Sequence, residues 1–123
     1  MSRFRTLVAC TVIAVALTGA SASWAADAQH GAAVFESCKA CHNDQDDALG
    51  PNLIGVFGRK AGTLPGFHYS NAMKNAGFVW TAANLKDYLT DPQAKVKGNR
   101  MPFSGLANPG DLDDLIAYLQ TLK

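Results

Sequence analysis

Cysteine is scarce in this sequence, with three in 123 residues. One of them, Cys10, lies in an apolar segment near the N terminus that reads as removable. The two that remain, Cys38 and Cys41, cannot build the multi-disulfide framework that stabilises many small exported domains. Charge of one sign is missing too: 11 Lys and Arg against 10 Asp and Glu leave a net +1. Without a basic field, nucleic acid is not an expected partner. No apolar run comfortably spans a bilayer. Strand alternation, repeats and low-complexity linkers are absent, so one all-α domain is expected.

What is present first is an export signal. Arg3 and Arg5 precede the apolar run TLVACTVIAVALTGA, and the small-residue stretch SASWAADA follows; basic, apolar, then small is the order of a secretory leader. Ser23 and Ala25 suit cleavage after Ala25, which predicts a signal peptide over 1–25 and one domain over 26–123. Cys10 lacks the small residues directly before it that lipid attachment requires, so it leaves with the leader. Loss of Arg3 and Arg5 takes the charge from 11 − 10 = +1 to 9 − 10 = −1. The product is an exported, nearly neutral chain, located in the periplasm and not inserted in the membrane after cleavage.

Four helical stretches are expected between loops rich in glycine and proline. The first covers about Ala28 to Lys39, with Val34, Phe35 and Cys38 at helical spacing. A short one runs from Ser70, a good N-cap, to Gly77, a good C′ residue. The third begins at Thr81, turns Leu85, Tyr88 and Leu89 to one face, and stops at Asp91-Pro92. The last carries Leu112, Leu115, Ile116, Leu119 and Leu122 opposite Asp113, Asp114 and Lys123. Between the first two, Gly50 to Ser70 holds five glycines and two prolines and cannot be a helix. A structureless stretch of that length fits a small domain only if it wraps something that is not protein. A large flat apolar cofactor would supply the core that so few short helices lack.

The stretch CKACH, Cys38 to His42, packs two thiols and an imidazole into five positions. A disulfide across so small a loop would add little. A zinc site needs four ligands, and only His30 and His68 remain as partners. A thioredoxin-like dithiol belongs in a βαβ unit, and none is present. Covalent haem attachment accounts for most. Two thiols three positions apart can add to the vinyl groups of adjacent pyrroles, and a histidine directly after the second is then placed under the iron. Such attachment occurs outside the cytoplasm, in agreement with the leader. One haem c per chain is therefore expected over a haem-free zinc or dithiol module.

His42 then supplies one axial ligand, and the opposite face of the iron is open or capped. Two methionines survive removal of the leader, Met73 and Met101. Most methionines fill cores, and Met73 on the short helix suits that role better than ligation. Met101 lies in KGNRMPFSGL, between the third and last helices, where Gly98 and Pro102 fix the backbone; there it is poor packing material. A thioether is soft and neutral and favours ferrous iron, so His/Met ligation raises the potential and shields the metal from substrate. That suits electron transfer and opposes catalysis.

From about Gly31 to Leu122 the chain resembles the class I c-type cytochromes of the cytochrome c2 and mitochondrial cytochrome c group. The similarity rests on CKACH, GPNLIGVFGRKAG, PGFHYSNAMKNAG, WTAANLKDYLTDP, GNRMPFSGL and DLIAYLQTL, in that order. The resemblance implies the small single-domain cytochrome c fold, helices and long loops wrapped around one covalently bound haem. It implies thioethers at Cys38 and Cys41 and axial ligation by His42 and Met101. Pro51 would accept a hydrogen bond from the proximal histidine ring, orienting it and raising its donor strength. Arg59, Tyr69 and Trp80 would hold the haem propionates. Tyr88 and Phe103 would be aromatics near the methionine side. Gly31, Phe35, Leu115 and Tyr118 would join the first and last helices.

The chain departs from that pattern in four places. Its stretch after His42 is short and acidic (Asp44, Asp46, Asp47). Lys97 stands where proline is common, Asn99 where threonine is common, and Met73 where asparagine is common. The function implied is a soluble, monomeric, low-spin haem carrier in a respiratory chain. It would shuttle one electron between protein partners such as a membrane oxidoreductase complex, a dehydrogenase or a terminal oxidase, and would not itself be an enzyme. Lys39, Lys95, Lys97 and Arg100 are expected around the haem edge, steering fast, salt-sensitive encounters, with the acidic run elsewhere. The alternative is a small haem enzyme or gas sensor with an open iron face, and Met101 separates the two. His30 and His68 are expected at the surface without a ligand role.

Overall fold

The computed structural model describes residues 25–123; the expected leader, with Arg3, Arg5 and Cys10, lies outside them apart from its last residue, Ala25. Among the described residues five helices follow in order: α1, Ala28–Phe35; α2, Asn71–Lys74; α3, Ala82–Thr90; α4, Pro92–Lys95; and α5, Pro109–Leu119. Among the described residues the only extended pairing is an isolated bridge between Lys60 and Val79. None of these helices is long and apolar enough to cross a membrane.

Each helix begins where a short polar side chain can take the free N–H groups of the first turn. Asp27 accepts from Gln29 and His30, and Ser70 from Met73. Thr81 accepts from Asn84, Asp91 from Ala94, and Asn108 from Gly110 and Asp111. Pro92 and Pro109 sit in the first turns of α4 and α5, where no N–H is required of them. The expected stop at Asp91-Pro92 is real, but the same pair also caps and starts α4, which the sequence reading lacks. α1 ends at Phe35 rather than near Lys39. Beyond it the chain continues as turns, with Cys38 and Lys39 bonded to the Phe35 carbonyl and Cys41 and His42 to that of Cys38. α2 likewise stops at Lys74, short of Gly77.

α1 and α5 cross in backbone contact. A Cβ on Gly31 would lie 1.9 Å from the Asp114 carbonyl oxygen, so only glycine fits the crossing. The Phe35 and Tyr118 rings meet at 5.1 Å, and Leu115 is 2% exposed. The expected junction of first and last helices is thus formed.

A polar tie guards the edge of that crossing. Asp114 accepts from the Asp27 N–H at 2.7 Å and faces His30 Nδ1 at 2.8 Å. The hydrogen bond to Asp114 raises the His30 pKa above 6.5. The Asp27 N–H, then His30, hold Asp114 below 3.8. A raised histidine value stabilises the fold fully below its unfolded value and loses that contribution as pH rises through the folded value. The depressed carboxylate contributes above its unfolded value and loses that as pH falls through the folded one. The tie is therefore complete between 3.8 and 6.5 and weakens above. Because it is solvent-exposed the effect is small. The melting temperature is expected to decline slightly from about pH 6 to about pH 8, with a flatter profile in His30→Ala. Identical slopes would contradict this.

Gly50 to Ser70 forms no helix or strand but is pinned at intervals. Gly55 N–H reaches the Leu122 carbonyl at 2.8 Å, Gly58 that of Trp80 at 2.9 Å, and Ala61 that of Phe78 at 2.9 Å, while Trp80 N–H returns to Arg59 at 2.8 Å. On the opposite side, Gly105 (φ +114°) presses on α3 so closely that a Cβ would lie 2.0 Å from the Thr90 carbonyl oxygen. Leu106 N–H bonds the Leu89 carbonyl at 2.8 Å. These contacts fix the two loops that face each other across the centre of the molecule. The buried apolar residues of α3 and α5 pack on one another and also line a hollow.

Candidate functional site

The hollow is a cavity of about 600 Å³, within the roughly 300–1,000 Å³ that small-molecule and cofactor sites occupy. Leu53, Val56, Leu85, Leu89 and Leu119 make much of its wall apolar. Cys41, His42 and Pro51 enter from one loop; Arg59, Tyr69 and Trp80 from the middle of the chain; Tyr88 and Met101 from α3 and the loop after α4. Cys38 and Phe103 are not on this wall. Cys38 is half-buried against the core, which pushes its thiol pKa up. Phe103 packs against the core cluster.

His42 is placed by its neighbours. Its N–H bonds the Cys38 carbonyl at 2.9 Å, and Gly50 N–H closes the acidic loop on the Cys41 carbonyl at 2.9 Å. The ring then lies flush on Gly50, where a Cβ would come 2.6 Å from Cε1. Nδ1 donates to the Pro51 carbonyl at 2.7 Å. This explains why Gly-Pro follows the cluster: glycine permits the approach and proline's carbonyl holds the ring. A carbonyl can only accept, so Nδ1 carries the proton and Nε2 keeps its lone pair for a metal. Burial lowers the ring's pKa below 6.5, which keeps that lone pair free at neutral pH.

Met101 is held as closely. Its N–H donates to Asn99 Oδ1 at 3.0 Å, and its sulfur lies 3.4 Å from the Tyr88 hydroxyl. Burial pushes the Tyr88 pKa to about 12, so the hydroxyl remains a donor. Arg100 donates to the His68 carbonyl, tying the Met101 loop to the middle loop. His68, exposed as expected, therefore contributes through its backbone, which its side chain gives no reason to suspect.

Arg59 donates to the carbonyls of Asn52 at 3.1 Å and Ile54 at 3.3 Å, which hold its guanidinium on the wall. Tyr69 Oη accepts from the Leu64 N–H at 3.2 Å, leaving its own proton to donate. Trp80 is buried and meets Phe78 and Tyr88 edge-on. One cation and two N–H or O–H donors on a largely apolar wall suit the two carboxylates of a porphyrin. With an imidazole nitrogen, a thioether and two unjoined thiols, the donor set fits haem.

The charged surroundings differ from the sequence reading. Asp46 and Asp47 line the cavity instead of lying elsewhere. Of the four expected basic residues only Arg100 is on the wall. Lys39 pairs with Glu36, and Lys95 pairs with Asp87 at 3.2 Å while lying 5.1 Å above the Phe78 ring. Met73, buried, brings a second thioether to the wall.

A small helical shell whose long loops close on such a slot beside a Cys-x-x-Cys-His turn defines a c-type cytochrome. Residues 28–123 match the family model for cytochrome c. The chain is 45% identical over 118 residues to cytochrome c2 of Rhodomicrobium vannielii, covering 89% of this chain and 94% of that one. It is 45% identical over 100 residues to cytochrome c of Euglena viridis, covering 79% and 98%. Its structure is similar to cytochrome cH from Methylobacterium extorquens, with a TM-score of 0.74 and 47% identity over 77% of this chain and 98% of that one. The chain belongs to the cytochrome c family. It is a class I c-type cytochrome, an electron carrier with one covalently attached haem c.

Proposed function

We propose that the protein, freed of residues 1–25, is a soluble periplasmic shuttle whose haem is held by thioethers from Cys38 and Cys41, with His42 and Met101 ligating low-spin iron. Haem supplies the one-electron centre. The chain's part is to fix the ligands and keep substrates away. His42 Nδ1 on the Pro51 carbonyl sets the ring's orientation and strengthens its donor nitrogen. Arg59, Tyr69 and Trp80 bind the propionates, and Tyr88 steadies the thioether. The observation that carries this reading is that His42 and Met101, each fastened by its own hydrogen bonds, line a single cavity.

With both iron faces closed, the chain has no site for substrate turnover and is neither an enzyme nor an open-faced gas sensor. It works as a monomer that docks transiently with a membrane oxidoreductase complex, a dehydrogenase or a terminal oxidase. The test is carbon monoxide added to the reduced protein near neutral pH. No spectral change is expected, and ready binding would favour the open-faced alternative.

A further inference from the structure

Asn99 has no role in the ligand set, yet it is the most elaborately bonded side chain near Met101. It is 7% exposed, the buried polar side chain of the core among the described residues. Burying an amide is costly unless its donors and acceptor are all engaged. An asparagine offers two N–H groups and two lone pairs on its oxygen, and here all four are taken. Nδ2 donates to the carbonyls of Pro92 at 3.0 Å and Val96 at 2.9 Å. Oδ1 accepts from the Met101 N–H at 3.0 Å and from the Tyr88 hydroxyl at 3.3 Å. One side chain thus joins α4, α3 and the loop that carries the sulfur.

The Tyr88 hydroxyl brings one proton to two acceptors: Asn99 Oδ1 at 3.3 Å and Met101 Sδ at 3.4 Å. For O–H···O the first distance is long, since such bonds run about 2.5–3.0 Å. For the larger sulfur atom the second is close. Neither acceptor holds the proton alone.

We infer that Asn99 is a positioning residue for the electron-transfer centre: its oxygen fixes the Met101 backbone and shares the Tyr88 proton with the Met101 sulfur, and so sets the electron density that sulfur keeps for iron. This rests on Met101 being the second axial ligand. A hydrogen bond to a thioether draws on its lone pairs and weakens it as a donor. Ferric iron, which depends more on donation, loses more than ferrous iron, and the potential rises. Asn99 opposes that rise by drawing the proton toward its own oxygen.

The test is a set of four reduction potentials on the haem-loaded full chain: wild type, Asn99→Leu, Tyr88→Phe and the double variant. Asn99→Leu is expected to raise the potential while the far-red methionine-to-iron absorption is kept, because the whole proton then falls to sulfur. In the Tyr88→Phe background the shift should shrink to roughly half or less, the signature of two groups acting through one proton. Equal shifts in both backgrounds would overturn the inference and leave Asn99 a scaffold alone. If Asn99→Leu does not retain haem, the isosteric Asn99→Asp replaces it. Its carboxylate pulls the proton harder, so the potential should fall further with Tyr88 present than with Tyr88→Phe, and equal falls would again overturn it. Failure of the ligand assignment reads differently: wild type would lack the far-red absorption, or Met101→Ala would keep it.

Discussion

Replacing Cys38 and Cys41 together by alanine is expected to remove the fold along with the haem. The helices have 8, 4, 9, 4 and 11 residues, all below the roughly 12–15 at which isolated helices become even marginal in water. They depend on burial, and Leu85, Tyr88 and Leu89 of α3, Leu119 of α5 and several residues of the middle loop line the hollow that the haem would fill. Unfilled space that stays dry costs roughly 24 cal/mol per Å³, and an empty hollow of about 600 Å³ deprives its apolar lining of a packing partner in a domain stable by only about 5–15 kcal/mol. The variant should emerge colourless, with most of its far-UV helical signal and its cooperative melt gone. A colourless chain that kept both would show that the protein part folds alone.

Met101→Ala is expected to leave haem attached and the iron open. A thioether favours the ferrous state, so its loss should lower the potential by on the order of a quarter of the ~0.8 V range that axial ligands command. The reduced variant should bind carbon monoxide readily, and the oxidised variant should lose its far-red absorption. A potential and spectrum unchanged from wild type would exclude Met101 as the ligand. Met73, the second thioether on the same wall, would then be the first residue to replace.

How far the sequence carried depended on whether a feature was local. The spacing of Cys38, Cys41 and His42 is legible because attachment to adjacent pyrroles needs thiols at one fixed separation. α3 is legible from a cap and an apolar stripe, and α5 from its stripe alone. α4 was hidden because Asp91-Pro92 signals both an end and a beginning, and four residues show no periodicity. The end of α1 was blurred because the CKACH turn keeps helix-like bonds to Phe35 and Cys38 after the regular helix stops.

Features that need distant partners stayed out of reach. Asn99 appeared only as a departure from threonine, since its value depends on Tyr88 and on the unsuspected α4. Gly50 read only as the start of a glycine-rich stretch that cannot be a helix, while its closeness to the His42 ring is a three-dimensional fact. The counter-charges of the expected basic residues stayed hidden for a similar reason: Glu36 and Asp87 engage Lys39 and Lys95.

The most direct measurement is the absorption spectrum of the purified protein, oxidised and reduced, continued into the far red and repeated after denaturation in acidic organic solvent. Narrow reduced bands, a weak far-red absorption in the oxidised form, and colour that stays with the polypeptide are the predicted result. Colour that passes into the solvent, or an oxidised spectrum without the far-red feature, would contradict a haem bonded through Cys38 and Cys41 and closed by His42 and Met101.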